Sequence, residues 1–67
     1  MSLNILAGSF HDEHGNDWTL ISGNGKHYAI CDIIGADTPL RTADYDSIPL
    51  LLRAIADTIE TGYTLPR

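Results

Sequence analysis

The chain has 67 residues, with nine acidic and four basic side chains that give a formal net charge of −5. A chain of this length builds one domain around one small core, so we expect residues 1–67 to be a single domain of marginal stability. Cys31 is the single cysteine, which excludes an internal disulfide, and the four scattered basic residues predict no direct nucleic-acid binding.

The first eight residues carry neither a basic stretch nor enough apolar side chains for a signal peptide or a membrane span. We therefore expect a cytosolic protein with no membrane partner. The negative net charge favours a protein partner with a basic surface. The same charge also suits a protein that only needs solubility, and the composition leaves both interpretations open.

Alternation of side chains predicts a first strand from Leu3 to Phe10. Two β-rich runs, residues 18–22 and 27–34, flank the pair Asn24-Gly25, which favours a type I′ hairpin turn because both of its central residues need positive φ. This turn fixes a register. The pairs that it predicts are Gly23 with Lys26, Ser22 with His27, Ile21 with Tyr28, Leu20 with Ala29, Thr19 with Ile30, and Trp18 with Cys31.

The register divides the hairpin into two faces. The face better suited to a core carries Trp18, Leu20, Ala29, Cys31 and Ile33. The second face carries Thr19, Ile21, Tyr28, Ile30, Asp32 and Ile34. Because the second face is too apolar to sit comfortably in water, we expect it to be covered. A homodimer that buries Ile21, Tyr28, Ile30 and Ile34 is one way to cover it.

Residues 35–45 predict a loop, with a short strand around residues 40–42 as an alternative. A helix follows, with Asp46 or Ser47 as N-cap, Pro49 in its first turn and Gly62 beyond its end. Its apolar stripe consists of Ile48, Leu51, Leu52, Ile55 and Ile59. The predicted fold is therefore α+β, a three-stranded antiparallel β-meander with one C-terminal α-helix packed on one face.

Leu50 is out of phase with the apolar stripe of the predicted helix. A single exposed leucine is common on protein surfaces. Alternatively, Leu50 belongs to a surface that binds a partner.

The segment HDEHGNDW, residues 11–18, raises the question of a metal site. His11 and His14 would converge on a helix, but the strand patterns on both sides predict a hairpin turn, where the two rings need not meet. In the turn interpretation Asp12, Glu13, Asn16 and Asp17 are solvated, and Gly15 or Asn16 takes positive φ. We expect the turn and no bound metal or other cofactor.

The sequence offers no convincing catalytic group. Cys31 is predicted to lie mid-strand on the core face, where a thiol behaves as a small apolar side chain. No serine is flanked by a strand-turn-helix elbow. We therefore expect a protein that is not an enzyme.

The densest acidic segment after the first turn contains Asp37, Asp44 and Asp46, with Tyr45 among them. A solvated loop and helix cap would explain these residues. The alternative is an acidic contact surface with a tyrosine anchor, extended by Asp12 and Glu13 of the first hairpin and by Leu50. Such a surface suits a site rich in arginine or lysine.

From Tyr28 to Pro66 the order of features resembles HicB-type antitoxin domains: a strand running into Gly35, a threonine-containing loop, a helix to Glu60, then Gly62 and Pro66. In place of the family's Pro-Asp-Leu-Pro-Gly sequence this chain has residues 32–35, Asp-Ile-Ile-Gly. The resemblance implies a small protein that binds and blocks an RNA-cleaving toxin. In general character the chain is also similar to small inhibitors that phages encode against host defence, anti-CRISPR proteins among them.

The first hypothesis is therefore a non-catalytic protein that binds and inhibits a partner, most plausibly a nucleic-acid-acting enzyme or complex. The second is a structural homodimer or assembly subunit. The third is a small metal-binding protein that uses His11, His14 and an acidic neighbour.

Overall fold

The computed structural model describes residues 8–65. They form an antiparallel sheet and one helix, so the predicted α+β class is confirmed. The elements are β1 (Gly8–His11), β2 (Asp17–Gly23), β3 (Lys26–Asp32), β4 (Leu40–Arg41) and α1 (Ile48–Glu60). The strands lie in chain order, β1-β2-β3-β4, as a meander. The sheet thus has four strands, and the predicted number of three is wrong.

The central hairpin has the register that Asn24-Gly25 predicts. All six expected pairs between β2 and β3 are present, from Gly23 with Lys26 to Trp18 with Cys31. Asn24 has φ of 54° and Gly25 has φ of 73°, as a type I′ turn requires. The pairing continues by one further pair, Asp17 with Asp32.

The fourth strand is too short to leave a periodic pattern in the sequence. Leu40 pairs with Cys31 and Arg41 with Ile30. Thr42 extends the contact because its N–H donates to the Ala29 carbonyl at 2.9 Å and its Oγ1 accepts from the Ala29 N–H at 2.9 Å. Side-chain hydrogen bonding therefore completes the edge that two strand residues begin.

Strand β1 pairs with β2 through residues 8–11, which includes the last three residues of the predicted strand 3–10. The remaining part of that prediction, residues 3–7, lies outside the described residues. Strand β3 ends at Asp32, two residues earlier than predicted. Ile34 consequently lies in the loop after β3, where it is 74% exposed, and does not share a sheet face with Tyr28 and Ile30.

Both predicted ends of the helix are confirmed. The Ser47 side chain accepts from the Leu50 N–H, which satisfies one of the free N–H groups of the first turn. At the other end Gly62 has φ of 73°, and the N–H of Tyr63 donates to the Thr58 carbonyl at 2.7 Å, which is a Schellman ending. Within residues 8–65 no helix is long and apolar enough to cross a membrane.

The core lies between α1 and one face of the sheet. Its buried apolar residues are Trp18, Leu20, Ala29, Cys31, Leu51 and Ile55. Within the predicted helical stripe, Leu51 and Ile55 are buried but Leu52 is 47% exposed. The stripe is centred further round the helix than predicted, because Ala54 and Thr58 are buried instead. Leu50 lies on the opposite flank and is 44% exposed.

Candidate functional site

The first hairpin turn is organised around the Asp12 carboxylate. Its Oδ1 accepts hydrogen bonds from the backbone N–H groups of His14 at 2.9 Å and Asn16 at 3.0 Å. Its Oδ2 accepts from Trp18 Nε1 at 3.0 Å and from the Tyr63 hydroxyl at 2.6 Å. One carboxylate therefore fastens the turn to β2 and to the chain that follows α1.

These hydrogen bonds set the charge state of Asp12. Partial burial raises its pKa, but the hydrogen bonds from Tyr63, Trp18 and two backbone N–H groups outweigh burial and lower the pKa from 3.8 to about 2. Asn16 is 5% exposed and accepts from the Ile34 N–H at 2.9 Å. The prediction that Asp12 and Asn16 solvate the turn is wrong, because both side chains accept hydrogen bonds from other residues of the protein.

The histidines of the turn point to separate acidic neighbours. His11 Nε2 lies 3.9 Å from Asp17 Oδ1, and His14 Nε2 lies 3.9 Å from Glu13 Oε1. Gly15 takes the positive φ, 82°, that the turn interpretation predicts. In the part of the chain that the structure describes, no three His, Cys, Asp or Glu side chains converge as metal ligands would. The predicted turn is therefore present.

Cys31 and the pair Ser22–His27 have side chains of the kinds that nucleophilic catalysis uses. Cys31 is fully buried, and burial followed by the charges of Asp12, Asp32 and Asp17 raises the pKa of its thiol to about 11. Ser22 Oγ lies 2.6 Å from His27 Nδ1 at the exposed end of the hairpin. Among residues 8–65 no carboxylate hydrogen-bonds to this histidine to orient it, so the pair is best explained as a cross-strand contact.

The acidic residues at the end of the sheet that carries the first turn come from three segments: the β1–β2 turn with the start of β2, the end of β3 with the loop that follows it, and the end of α1. The β1–β2 turn contributes Glu13, and the loop from β3 to β4 contributes Asp37. Both connections leave the sheet at the same end because the strands form a meander. Contact between the two is direct, since Asn16 Oδ1 accepts from the Ile34 N–H. Two of the predicted contact residues, Glu13 and Asp37, therefore lie on connections at the same end of the sheet.

Sequence reasoning missed the acidic pair inside the sheet at this end. Asp17 and Asp32 lie directly opposite each other on β2 and β3. Like charges opposite each other in a sheet destabilise it, by about 0.2 to 1 kcal/mol. The signal was available, because extending the Asn24-Gly25 register by one pair beyond Trp18 and Cys31 gives this pair.

The end of α1 adds further negative charge at the same place. Tyr63 reaches Asp12, so the last turn of the helix lies at this end of the sheet. That turn carries Asp57 and Glu60 and no basic residue. The helix dipole also places partial negative charge at a C-terminus, where cations are favoured. We use the name acidic end for the six carboxylates at this end of the molecule: Glu13, Asp17, Asp32, Asp37, Asp57 and Glu60. Asp17 and Asp32 lie on the sheet face away from α1, whereas Asp57 and Glu60 belong to α1.

The carboxylates toward the other end of the sheet have cationic partners. Asp46 forms an ion pair and hydrogen bond with Lys26, which lowers the pKa of Asp46 and raises that of Lys26. Asp44 Oδ1 lies 3.0 Å from Arg41 Nη2. We call these four residues the paired end. Two predicted contact carboxylates, Asp44 and Asp46, thus already have cationic partners.

The two remaining predicted contact residues lie toward the paired end. Tyr45 packs partly buried against the core and exchanges backbone hydrogen bonds of 2.8 Å with His27. Leu50 is in the first turn of α1 and is exposed. Tyr45 is therefore mainly a structural residue, whereas Leu50 is accessible.

The sheet face away from α1 is the other accessible feature. Its centre is formed by Ile21, Tyr28 and Ile30, which are half-buried, and by exposed Thr19. The Arg41 guanidinium stacks over the Tyr28 ring at 4.0 Å from the centroid. We call Thr19, Ile21, Tyr28 and Ile30 the open face. Asp17 and Asp32 lie on the same side of the sheet, so the open face borders the acidic end.

Comparisons with protein-family models, with curated proteins and with solved structures find no match to this chain. The structure places exposed carboxylates, two of them with a histidine neighbour, beside the half-buried apolar side chains of the open face.

Proposed function

We propose that this protein is a non-catalytic inhibitor that binds a nucleic-acid-acting enzyme or complex through a basic surface of that partner. The observation that carries the proposal is the acidic end, where three segments place six carboxylates at one end of the sheet while the cations Lys26 and Arg41 pair with Asp46 and Asp44. Phage-encoded host-defence inhibitors and antitoxins are the two kinds of protein that fit this description.

The partner's nucleic-acid-binding site is expected to be basic. Enzymes that act on nucleic acids bind phosphates with Lys and Arg side chains. A rigid surface of carboxylates complements such a site, speeds the encounter and competes with the nucleic acid for the same cations. The turn that carries Glu13 is held in place because Asp12 ties it to Trp18 and Tyr63.

The contact surface that we propose keeps part of the set expected from the sequence. Glu13 and Asp37 remain in it, joined by Asp17 and Asp32. Asp12 contributes its charge but has its oxygens occupied. Asp44, Tyr45, Asp46 and Leu50 lie toward the other end, so in this proposal they contact the partner only if it extends along the sheet.

Matched charge reversals test this proposal. Immobilised wild-type protein is exposed to lysate of the native host, and retained enzymes are identified by mass spectrometry. Asp37→Lys removes charge from the acidic end, and Asp46→Lys makes the same net change at the paired end. We expect a nucleic-acid-acting enzyme to be retained by wild type and Asp46→Lys and lost with Asp37→Lys.

The retained enzyme is then assayed with its nucleic acid. Stoichiometric inhibition by the wild-type protein, weakened by Asp37→Lys, supports the proposal. Retention without inhibition, or equal loss with both reversals at unchanged melting temperature, contradicts it.

The second candidate function is a homodimer or assembly subunit, and the open face is the observation that favours it. Ile21, Tyr28 and Ile30 would be buried against a copy of the chain. Light scattering over a range of protein concentrations tests this candidate. A monomer at every concentration removes it.

A further inference from the structure

We infer that the open face is a docking site for a basic amphipathic helix of a partner protein, whose cationic end lies over Asp17 and Asp32. This inference rests on the proposed function, since it names the element of the partner that is bound. It adds a second contact surface, with apolar chemistry, to the acidic end.

The two faces of the sheet carry similar apolar rows but have different neighbours. On one face α1 buries Trp18 and Ala29 beneath Leu51 and Ile55. On the other face Ile21, Tyr28 and Ile30 form a row of apolar side chains; the Arg41 guanidinium lies over Tyr28, and no helix or strand of residues 8–65 packs on this face. A helix packs on an antiparallel sheet through one apolar stripe, so a second helix fits the open face as α1 fits the first.

The charges around the open face select the kind of helix. Asp17 and Asp32 oppose each other at one end of the face, and His11 Nε2 is 3.9 Å from the Asp17 carboxylate. A cation placed between the two carboxylates relieves their repulsion. Arg41, which pairs with Ile30 on the neighbouring strand, already places a cation on the open face, where it stacks on Tyr28 and pairs with Asp44. The carboxylates of Asp17 and Asp32 are therefore the part of this face to which a partner's cation would add most.

A second copy of this chain fits the open face less well. Each copy has a net charge of −5 and brings its own Asp17 and Asp32. The apolar centre consists of three half-buried side chains. Stable homodimer interfaces are larger and more apolar, with about 1,200 Å² or more buried in total. The charge of the chain therefore favours a basic partner over self-association.

The test uses the full chain labelled with ¹⁵N and a synthetic peptide of Leu, Ala and Lys. The peptide has about 18 residues, about five helical turns, with its leucines on one face. A second peptide has the same composition in an order that spreads the leucines around the helix. We expect the first peptide to shift the amide signals of Ile21, Tyr28 and Ile30 together with Asp17 and Asp32, and to bind about tenfold or more tightly than the second.

Two variants locate the binding. Thr19→Arg places a cation in the middle of the open face at an exposed position, so the fold should tolerate it. Ala56→Arg makes the same charge change on the exposed side of α1. We expect Thr19→Arg to weaken the amphipathic peptide at least about tenfold and Ala56→Arg to leave its affinity unchanged.

Other outcomes overturn the inference. Equal binding of both peptides at the acidic end, without shifts on the open face, contradicts the helix site but leaves the proposed function standing. Absence of binding by either cationic peptide contradicts both. Concentration-dependent dimerisation that Thr19→Arg abolishes assigns the open face to a second copy. A large loss of melting temperature in Thr19→Arg shows that the chain itself covers the face.

Discussion

The two ends of the sheet contain the same kinds of side chain in opposite arrangements. At the paired end each carboxylate has a cation, Asp46 with Lys26 and Asp44 with Arg41. At the acidic end Asp17 faces Asp32 instead. The sequence alone predicts one acidic surface over residues 37–46, because its carboxylates are close together along the chain. The meander separates those residues and brings distant ones together, so surface charge has to be assigned after the topology.

The difference between the ends extends to what each carboxylate does. Asp12, at the acidic end, is a structural acceptor for four hydrogen bonds. Asp46, at the paired end, is an exposed ion-pair partner. Exposed ion pairs contribute little to stability, whereas a part-buried carboxylate with several donors contributes more. Removal of Asp12 should therefore cost more stability than removal of Asp46.

The largest effect is expected from Asp12→Ala. It leaves Trp18 Nε1, the Tyr63 hydroxyl and two backbone N–H groups without their acceptor, so we expect a loss of about 2 to 3 kcal/mol in unfolding free energy. Urea unfolding followed by fluorescence of Trp18, the single tryptophan, measures it. Glu13→Ala, in the same turn but exposed, is the control and should change stability by less than about 0.5 kcal/mol. Equal losses in the two variants would disprove the role of Asp12.

The next effect is the acid limb of stability. The pKa of Asp12 is about 2 in the folded chain, against 3.8 for the free side chain. Because the folded value is lower, the stabilisation is complete above pH 4 and is lost as the pH falls from about 4 to about 2. We expect this loss to be about 1 kcal/mol, allowing for solvent screening. Asp12→Asn should lack it, and an unchanged acid limb in that variant would contradict the assignment.

Tyr63→Phe tests one of the four hydrogen bonds to Asp12 and should destabilise the protein less than Asp12→Ala. Tyr63→Phe removes the hydroxyl that donates to Asp12 Oδ2 at 2.6 Å and keeps the ring. We expect about 1 kcal/mol of destabilisation and a higher pKa for Asp12 in a titration followed by NMR. Tyr28→Phe, on the open face, is the matched control because the cation–π contact with Arg41 does not need the hydroxyl. It should be close to neutral.

The sequence predicted most of the fold because its strongest local signals act over short distances. Asn24-Gly25 fixed the register of the central hairpin, and Ser47 and Gly62 marked the ends of α1. The fourth strand was predicted only as an alternative to a loop, around residues 40–42, because two residues leave no periodicity, and Thr42 completes it through a side-chain hydrogen bond. Leu52 was placed on the wrong side because the buried stripe includes Ala54 and Thr58, which are weakly apolar.

The candidate site was less predictable. The acidic end depends on contacts between segments far apart in sequence, such as the hydrogen bond from Tyr63 to Asp12 across 51 positions. No composition or spacing pattern reports such a contact. The exception is the pair Asp17 and Asp32, which the hairpin register already implied. The register of a hairpin thus predicts the pairing of the charged residues that flank its apolar residues, as well as the pairing of the apolar residues themselves.

The central claim is that charge repels at the acidic end and is satisfied at the paired end. The most direct test compares melting temperatures of Asp32→Asn and Asp46→Asn at low salt. We expect Asp32→Asn to raise the melting temperature by a few degrees, about 0.5 kcal/mol, and Asp46→Asn to lower it slightly. High salt should shrink both differences because it screens exposed charges. Shifts of the same sign in the two variants would contradict the account.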